Sequence, residues 1–230
     1  MPKETQVTNF FGLCKTIPGE CDIFKANKKF AAVPIGQNCN NLAVINIVKG
    51  HRLDGGIIPH LVCGNSICDF AFDPFDDNRI VIGCDDGTIQ LWNIPNDGLL
   101  INRDKYENKL TRHKDRITLV KFHPIAKDVL ASFSMDLMII IWDLNVLQAK
   151  ICLNLHSEPL FSMSWSPNGE YLATFSKDQK IQIINPRTEQ VIKEGQGPQG
   201  TRGGRICWAQ KGTLLIVTGF SRYEIVFIKT

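Results

Sequence analysis

No two of the chain's eight cysteines form a Cys-x-x-Cys pair; they stand at 14, 21, 39, 63, 68, 84, 152 and 207. That scatter lacks the spacing of zinc knuckles and of disulfide-stapled secreted domains, so reduced thiols and a cytoplasmic location are expected. His51, His60, Cys63 and Cys68 are ligand types that zinc accepts, but their spacing matches no common site. No metal and no cofactor are expected; Cys68 reads as a strand residue and Cys63 as part of the turn before it. Long apolar runs are missing too. The longest, Leu137 to Trp142, has six residues, against roughly 20 for a helix that crosses a bilayer, and no transmembrane segment is expected. The opening MPKETQVTNFFGLCK has no sustained apolar core before a small-residue cleavage site, so it does not read as a secretory leader. Charge of one sign never accumulates: 26 Lys and Arg face 23 Asp and Glu without like-charge blocks, which argues against nucleic acid as a partner.

What the 230 residues do contain is 43% apolar side chains, enough for a packed core, and an internal repeat. CDFAFDPFDDNRIVIGCDDGTIQLWNI (68–94), LVKFHPIAKDVLASFSMDLMIIIWDL (119–144) and SMSWSPNGEYLATFSKDQKIQIINP (162–186) align. Each places an aromatic two residues before a proline: Phe72 and Pro74, Phe122 and Pro124, Trp165 and Pro167. Each also places an aspartate six residues before a bulky apolar: Asp86 to Trp92, Asp136 to Trp142, Asp178 to Ile184. The prolines lie 50 and 43 residues apart, near the period of about 40 to 45 shown by four-stranded propeller blades.

TIQLW, IVIG, VLASFS and YLATFS are short, rich in β-branched and aromatic residues, and bounded by Asp-Gly, Asn-Gly or Pro, which predicts strands. No stretch of ten or more residues has helical periodicity with caps. An all-β chain follows. A weaker unit precedes the three clear ones, with KKFAAVPIG and NLAVINIV paired around Asn38 to Asn41, and another follows, with Trp208 in the place of Trp165. The expected organisation is an N-terminal segment, 1–21, then a partial propeller, 22–230, with units near 22–56, 57–108, 109–155, 156–200 and 201–230.

The recurring aspartates read as turn corners that accept amide hydrogen bonds. Asp85 has no repeated equivalent, since Met135 and Lys177 take its place, so an acid/base pair with Asp86 is not expected. GQGPQG (195–200) satisfies Gly-x-Gly-x-x-Gly, but TRGGRICW follows where the dinucleotide fingerprint needs a helix N-terminus. A flexible link between units is expected there instead. No nucleophile elbow, metal-ligand spacing or repeated carboxylate pair points to an enzyme.

These residues resemble WD40 repeats, whose units end in Trp-Asp: IWDL at 141–144, LWNI at 91–94 and the degenerate IINP at 183–186. The resemblance implies a buried chain of histidine, serine, turn aspartate and tryptophan, complete at His113, Ser134, Asp136 and Trp142. His156, Ser176 and Asp178 retain it without tryptophan. The unit of Asp86 and Trp92 has Cys63 where histidine is expected and Cys84 where serine is expected. TIPGECDIFKANKKFAAVP, FDPFDDNRIVIGCDDGTIQLW, KFHPIAKDVLASFSMDL and EGQGPQGTRGGRICW are further similar to the second propeller of the long, tandem-propeller coronins. That resemblance implies an incomplete WD40 β-propeller with about four to five of seven blades. It also implies a non-enzymatic protein scaffold tied to filamentous actin, to trafficking adaptors and to Golgi or endosomal membranes from the cytoplasmic side. A central-channel enzyme and a generic WD40 adaptor without actin binding stay open as alternatives. Arg112, Lys114, Arg116, Arg202 and Arg205 are the candidate partner contacts.

Overall fold

The computed structural model describes residues 22–48, 58–199, 203–219 and 225–229. They form five antiparallel sheets in chain order. The first holds β1 (Lys25–Ala26), β2 (Phe30–Ile35), β3 (Asn41–Asn46) and β4 (His60–Val62). The second holds β5 (Ile67–Phe72), β6 (Arg79–Cys84), β7 (Thr88–Asn93) and β8 (Asn108–Thr111). The third holds β9 (Ile117–Phe122), β10 (Val129–Ser134), β11 (Ile139–Asp143) and β12 (Gln148–Leu153). The fourth holds β13 (Leu160–Trp165), β14 (Leu172–Ser176), β15 (Lys180–Asn185) and β16 (Gln190–Gln196). The fifth holds β17 (Gly204–Ala209), β18 (Leu214–Gly219) and β19 (Ile225–Lys229). Each sheet is a meander whose strands pair with their sequence neighbours, the short-connection solution that tight turns favour. Among the described residues the one helical element is a 3₁₀ turn at Gln210–Gly212. The architecture is an incomplete WD40 β-propeller.

His60–Val62, grouped above with the second unit, pairs with β3 and completes the first sheet. β8 likewise reaches to Thr111, past the expected boundary at 108. The outer strand of each sheet is supplied by the segment that then leads into the next sheet, so composition shifts do not mark the boundary.

The central strands of the second, third and fourth sheets are buried on both faces, because each of these sheets lies between two others. In the second sheet Ile80, Ile82 and Trp92 face back onto Phe30, Leu42 and Leu61 of the first. Val81, Ile89 and Leu91 face forward onto Leu130, Ile140 and Trp142 of the third. The third sheet sends Ala131, Ile139 and Ile141 onto Leu172 and Ile184 of the fourth, whose Ala173, Ile181 and Ile183 meet Leu215 and Val217 of the fifth. Two-sided burial explains why the central strands are near-continuous apolar runs rather than alternating ones. Each fully buried aliphatic side chain contributes about 1.5–3 kcal/mol. On the forward face of the fifth sheet the equivalents of Ile89 and Leu91 are Ile225 and Phe227, which are 56% and 62% exposed.

The innermost strands are stitched from sheet to sheet. Val120 donates its amide to Asp69 Oδ2 at 2.8 Å, and Ile206 donates to Ser162 Oγ at 3.3 Å. The indoles of Trp165 and Trp208 donate to Lys121 O and Ser164 O, at 3.4 and 3.0 Å. Trp208 thus does in the fifth sheet what Trp165 does in the fourth.

Candidate interaction surface

The site is built from the turns upward. Asp86, Asp136 and Asp178 each follow β6, β10 or β14 by two residues, and each accepts through Oδ1 the amide two residues ahead: Thr88 at 3.1 Å, Met138 at 3.0 Å and Lys180 at 2.9 Å. The next residue in each turn is left-handed, at φ 78° for Gly87, 65° for Leu137 and 66° for Gln179. Glycine is required at the first of these by space as well: a Cβ on Gly87 would lie 2.8 Å from Asp115 O. Asp85 ties the same turn to the start of β5 by accepting the Ser66 amide at 3.1 Å. Asp85 and Asp86 thus spend their oxygens on backbone, on the Thr88 hydroxyl at 2.5 Å, on Asn65 Nδ2 at 2.7 Å and on Lys109 Nζ at 3.6 Å.

In the third sheet Trp142 Nε1 donates to Ser132 Oγ at 2.8 Å, Ser132 Oγ lies 2.8 Å from His113 Nε2, and His113 Nδ1 lies 3.1 Å from Asp136. Since Nδ1 faces a carboxylate, it carries the proton; Nε2 then accepts from the serine hydroxyl. The hydroxyl in this chain is Ser132, correcting the expectation of Ser134. Both serines point to one face of β10, two residues apart, and Ser132 is the one diagonal to Trp142. Ser134 instead donates to Asp115 O at 2.7 Å and accepts the Asp136 amide at 3.2 Å, which tightens the turn. The fourth sheet repeats the correction. His156 Nε2 meets Thr174 Oγ1 at 2.8 Å, while Ser176 donates to Glu158 O at 3.0 Å. His156 Nδ1 lies 3.4 Å from Asp178.

Burial holds both His113 and His156 below the usual imidazole range, against the opposing pull of Asp136 and Asp178. For Asp136 burial pushes upward, but amides of Lys114 and Met138 and the His113 ring bring it below the ordinary carboxylate range. The favoured pair is a neutral imidazole and an ionised carboxylate.

The second sheet solves the same problem without imidazole. Ile82 occupies the place of Ser132, and Gln90 supplies both partners: Trp92 Nε1 donates to Gln90 Oε1 at 3.1 Å, and Gln90 Nε2 donates to Cys63 O at 2.9 Å. Cys84 therefore corresponds to Ser134, not to the serine of the buried chain. Sequence reasoning missed Gln90; its signal was one amide inside the apolar run of β7.

Cys63 and Cys68 fall as expected, after β4 and on β5. Burial drives the Cys63 thiol strongly upward and pushes Cys68 and Cys84 to about 12, so these are packing residues rather than nucleophiles. Among the described residues no cluster of three or more metal-ligating side chains is present; His51 lies outside them. Cys39 is disulfide-bonded, which corrects the expectation of reduced thiols throughout: sequence spacing carries no information on which cysteines meet in space. The described part of the glycine-rich segment, up to 199, is also more closely packed than the expected flexible link. Gly195 belongs to β16, and a Cβ on Gly197 would sit 2.4 Å from the Phe175 ring. Close packing on Phe175 is the use of Gly197, while a Cβ on Gly195 would meet Ile228 at 3.6 Å.

The basic loop between β8 and β9 presents Arg112, Lys114 and Arg116, all exposed. It is fixed by the Lys114 amide, which donates to Asp136 Oδ2 at 2.9 Å. A groove of about 550 Å³ runs beside it, lined by Arg112, Lys114, Asp136, Met138, Ile140 and Cys152. Arg205 is elsewhere: it lies on β17, with Nε donating to Asp22 Oδ1 at 3.2 Å, and Asp22 also stands 3.9 Å from Lys121 Nζ. Arg202 lies outside the described residues. The candidate cations thus divide between an exposed loop and the inner strands.

The chain matches the family described as "WD domain, G-beta repeat" over residues 46–93 and 148–185. It is 41% identical to Coronin-7 of Bos taurus over 96% of its own length and 40% identical to Coronin-7 of Homo sapiens over 95%. It spans 24% of the length of these curated relatives. Among solved structures it resembles the WD40 domain of Toxoplasma gondii coronin, with a TM-score of 0.81 at 21% identity, covering 94% of this chain and 56% of that one. At that identity the likeness concerns the fold. No described helix is long and apolar enough to cross a membrane.

Proposed function

Because the chain belongs to the coronin family, matching one segment of a longer coronin and carrying WD40 repeats, we propose that it is a non-enzymatic protein-interaction scaffold. Its partners in this reading are filamentous actin and trafficking adaptors at Golgi or endosomal membranes, reached from the cytoplasm. The observation that carries the scaffold reading is the anchoring of the Arg112–Arg116 loop to Asp136, the corner of the buried chain. A loop tied to a rigid core presents its cations at fixed positions, which suits recognition of an acidic protein surface.

Residues 22–230 act as the propeller part in this proposal, and Arg112, Lys114 and Arg116 are the contacts. The test is co-sedimentation of the whole chain with filamentous actin, beside a variant carrying Arg112→Glu, Lys114→Glu and Arg116→Glu. Pelleting of the parent and loss in the variant support the actin reading. If the parent stays in the supernatant, actin is not the partner of this segment and the adaptor reading takes precedence.

A further inference from the structure

The three joints between the second, third, fourth and fifth sheets are equivalent by sequence, and they are filled differently. At the first, Asp73 follows Phe72, and Arg79 joins it to Asp128 of the next sheet through paired carboxylates. At the second, His123 follows Phe122. Its ring lies 4.6 Å from that of Trp165, and its Nε2 donates to Gly169 O at 2.9 Å. A Cβ on Gly169 would sit 2.1 Å from that imidazole, so the chain is shaped around the ring. At the third, Ser166 stands in the place of His123, Trp208 in that of Trp165 and Gly212 in that of Gly169.

Serine is too short to fill the space that imidazole fills. Its Oγ turns instead to Asn168 Oδ1, at 2.7 Å, and to the Tyr171 amide, at 3.0 Å. A cavity of about 230 Å³ results, lined by Tyr171, Ile183, Ile192 and Trp208, with Lys193 and Lys211 among its walls. Ile192 is 54% exposed. Lys211 is exposed and held at φ 57° in the 3₁₀ turn, and Lys193 Nζ reaches Lys229 O at 2.6 Å. The nearby carboxylate of Glu170 is engaged by Asn168 Nδ2 at 2.7 Å.

We propose that this groove between the fourth and fifth sheets receives an aromatic side chain of a partner peptide, flanked by acidic residues. The ring would take the position over Trp208 that the His123 ring takes over Trp165, a packing that aromatic pairs favour. The flanking carboxylates answer Lys193 and Lys211, which set orientation more than affinity. The inference goes beyond the actin reading, and failure to pellet with filaments leaves it untouched.

The test is calorimetric titration of the whole chain with a synthetic Asp-Asp-Phe-Asp-Asp peptide, with the Trp208 indole resonance followed by NMR. Binding with a shift at Trp208, and at least about tenfold weakening when the peptide's phenylalanine becomes alanine, is expected. Ser166→His, which closes the groove with the ring used one joint earlier, is expected to weaken binding to a similar degree. Lys211→Glu, an exposed change that does not touch the core, keeps the test decisive if Ser166→His misfolds; it is expected to weaken the acidic peptide and not an Asn-flanked one. Equal binding by parent, Ser166→His and Lys211→Glu overturns the proposal. So does an unmoved Trp208 resonance at millimolar peptide, and so does a self-associated form that Ser166→His disperses, which would assign the groove to a second copy.

Discussion

The second and third sheets bury the same indole in the same place and satisfy it by different means. Trp142 hands its N–H to a relay of Ser132, His113 and Asp136 that ends at a turn and a loop. Trp92 hands its N–H to one residue, Gln90, which ends at the Cys63 carbonyl. A relay couples four side chains, two strands and the basic loop, so its parts respond together. A single amide is local. The difference shows that the requirement shared by the two sheets is a partner for a buried N–H, while the number of residues that supply it decides how far a perturbation spreads.

The largest way to break the comparison is Trp142→Ala. It removes a side chain only 3% exposed and leaves the Ser132 relay without its donor, so a loss of about 3–5 kcal/mol is expected in chemical unfolding. Next is Ser132→Ala, which unpairs both Trp142 Nε1 and His113 Nε2 and is expected to cost about 2–3 kcal/mol. Ser134→Ala, which loses turn contacts alone, should cost about 1 kcal/mol, and equal losses would contradict the assignment of Ser132.

Acidification sharpens the contrast in another way. His113 and His156 are held below the usual imidazole range when folded, so the unfolded chain binds more protons once pH falls below about 6.5. Their contribution is therefore full above that pH and is lost as pH drops toward the folded values. His123 behaves likewise, because burial holds it below the usual imidazole range against the pull of the Gly169 carbonyl; its Nδ1 also accepts the Ala126 amide at 2.8 Å, which it cannot do once protonated. Hydrogen exchange between pH 7.5 and 5, corrected for intrinsic rates, is expected to show protection falling in the third and fourth sheets before the second. The smallest effect is reserved for Asp85→Ala. One exposed amide contact is lost, and a change within about 0.5 kcal/mol is expected in thermal unfolding.

The fold was legible because its signals are local. The aspartate corners each bond an amide two residues ahead, a relation that one short window of sequence contains. Strand type was legible from two-sided burial, which leaves continuous runs of β-branched residues. The choice between Ser132 and Ser134 was not, because a period of two places both on one face and only the register with β11 separates them. Gln90 escaped for a related reason: one long side chain does the work that Ser132 on β10 and His113 in the loop after β8 share in the third sheet. The Arg79–Asp128 contact is a pairing across a long sequence separation, on which neither spacing nor composition bears.

Each joint in the stack sets the front of one sheet against the back of the next, as Val81 and Leu91 meet Leu130 and Ile140. Such contacts are head-to-tail, so the stack has a polarity. The face that carries Ile225 and Phe227 complements a back face rather than a copy of itself. A joint of this kind is heterologous, pairing two different surfaces.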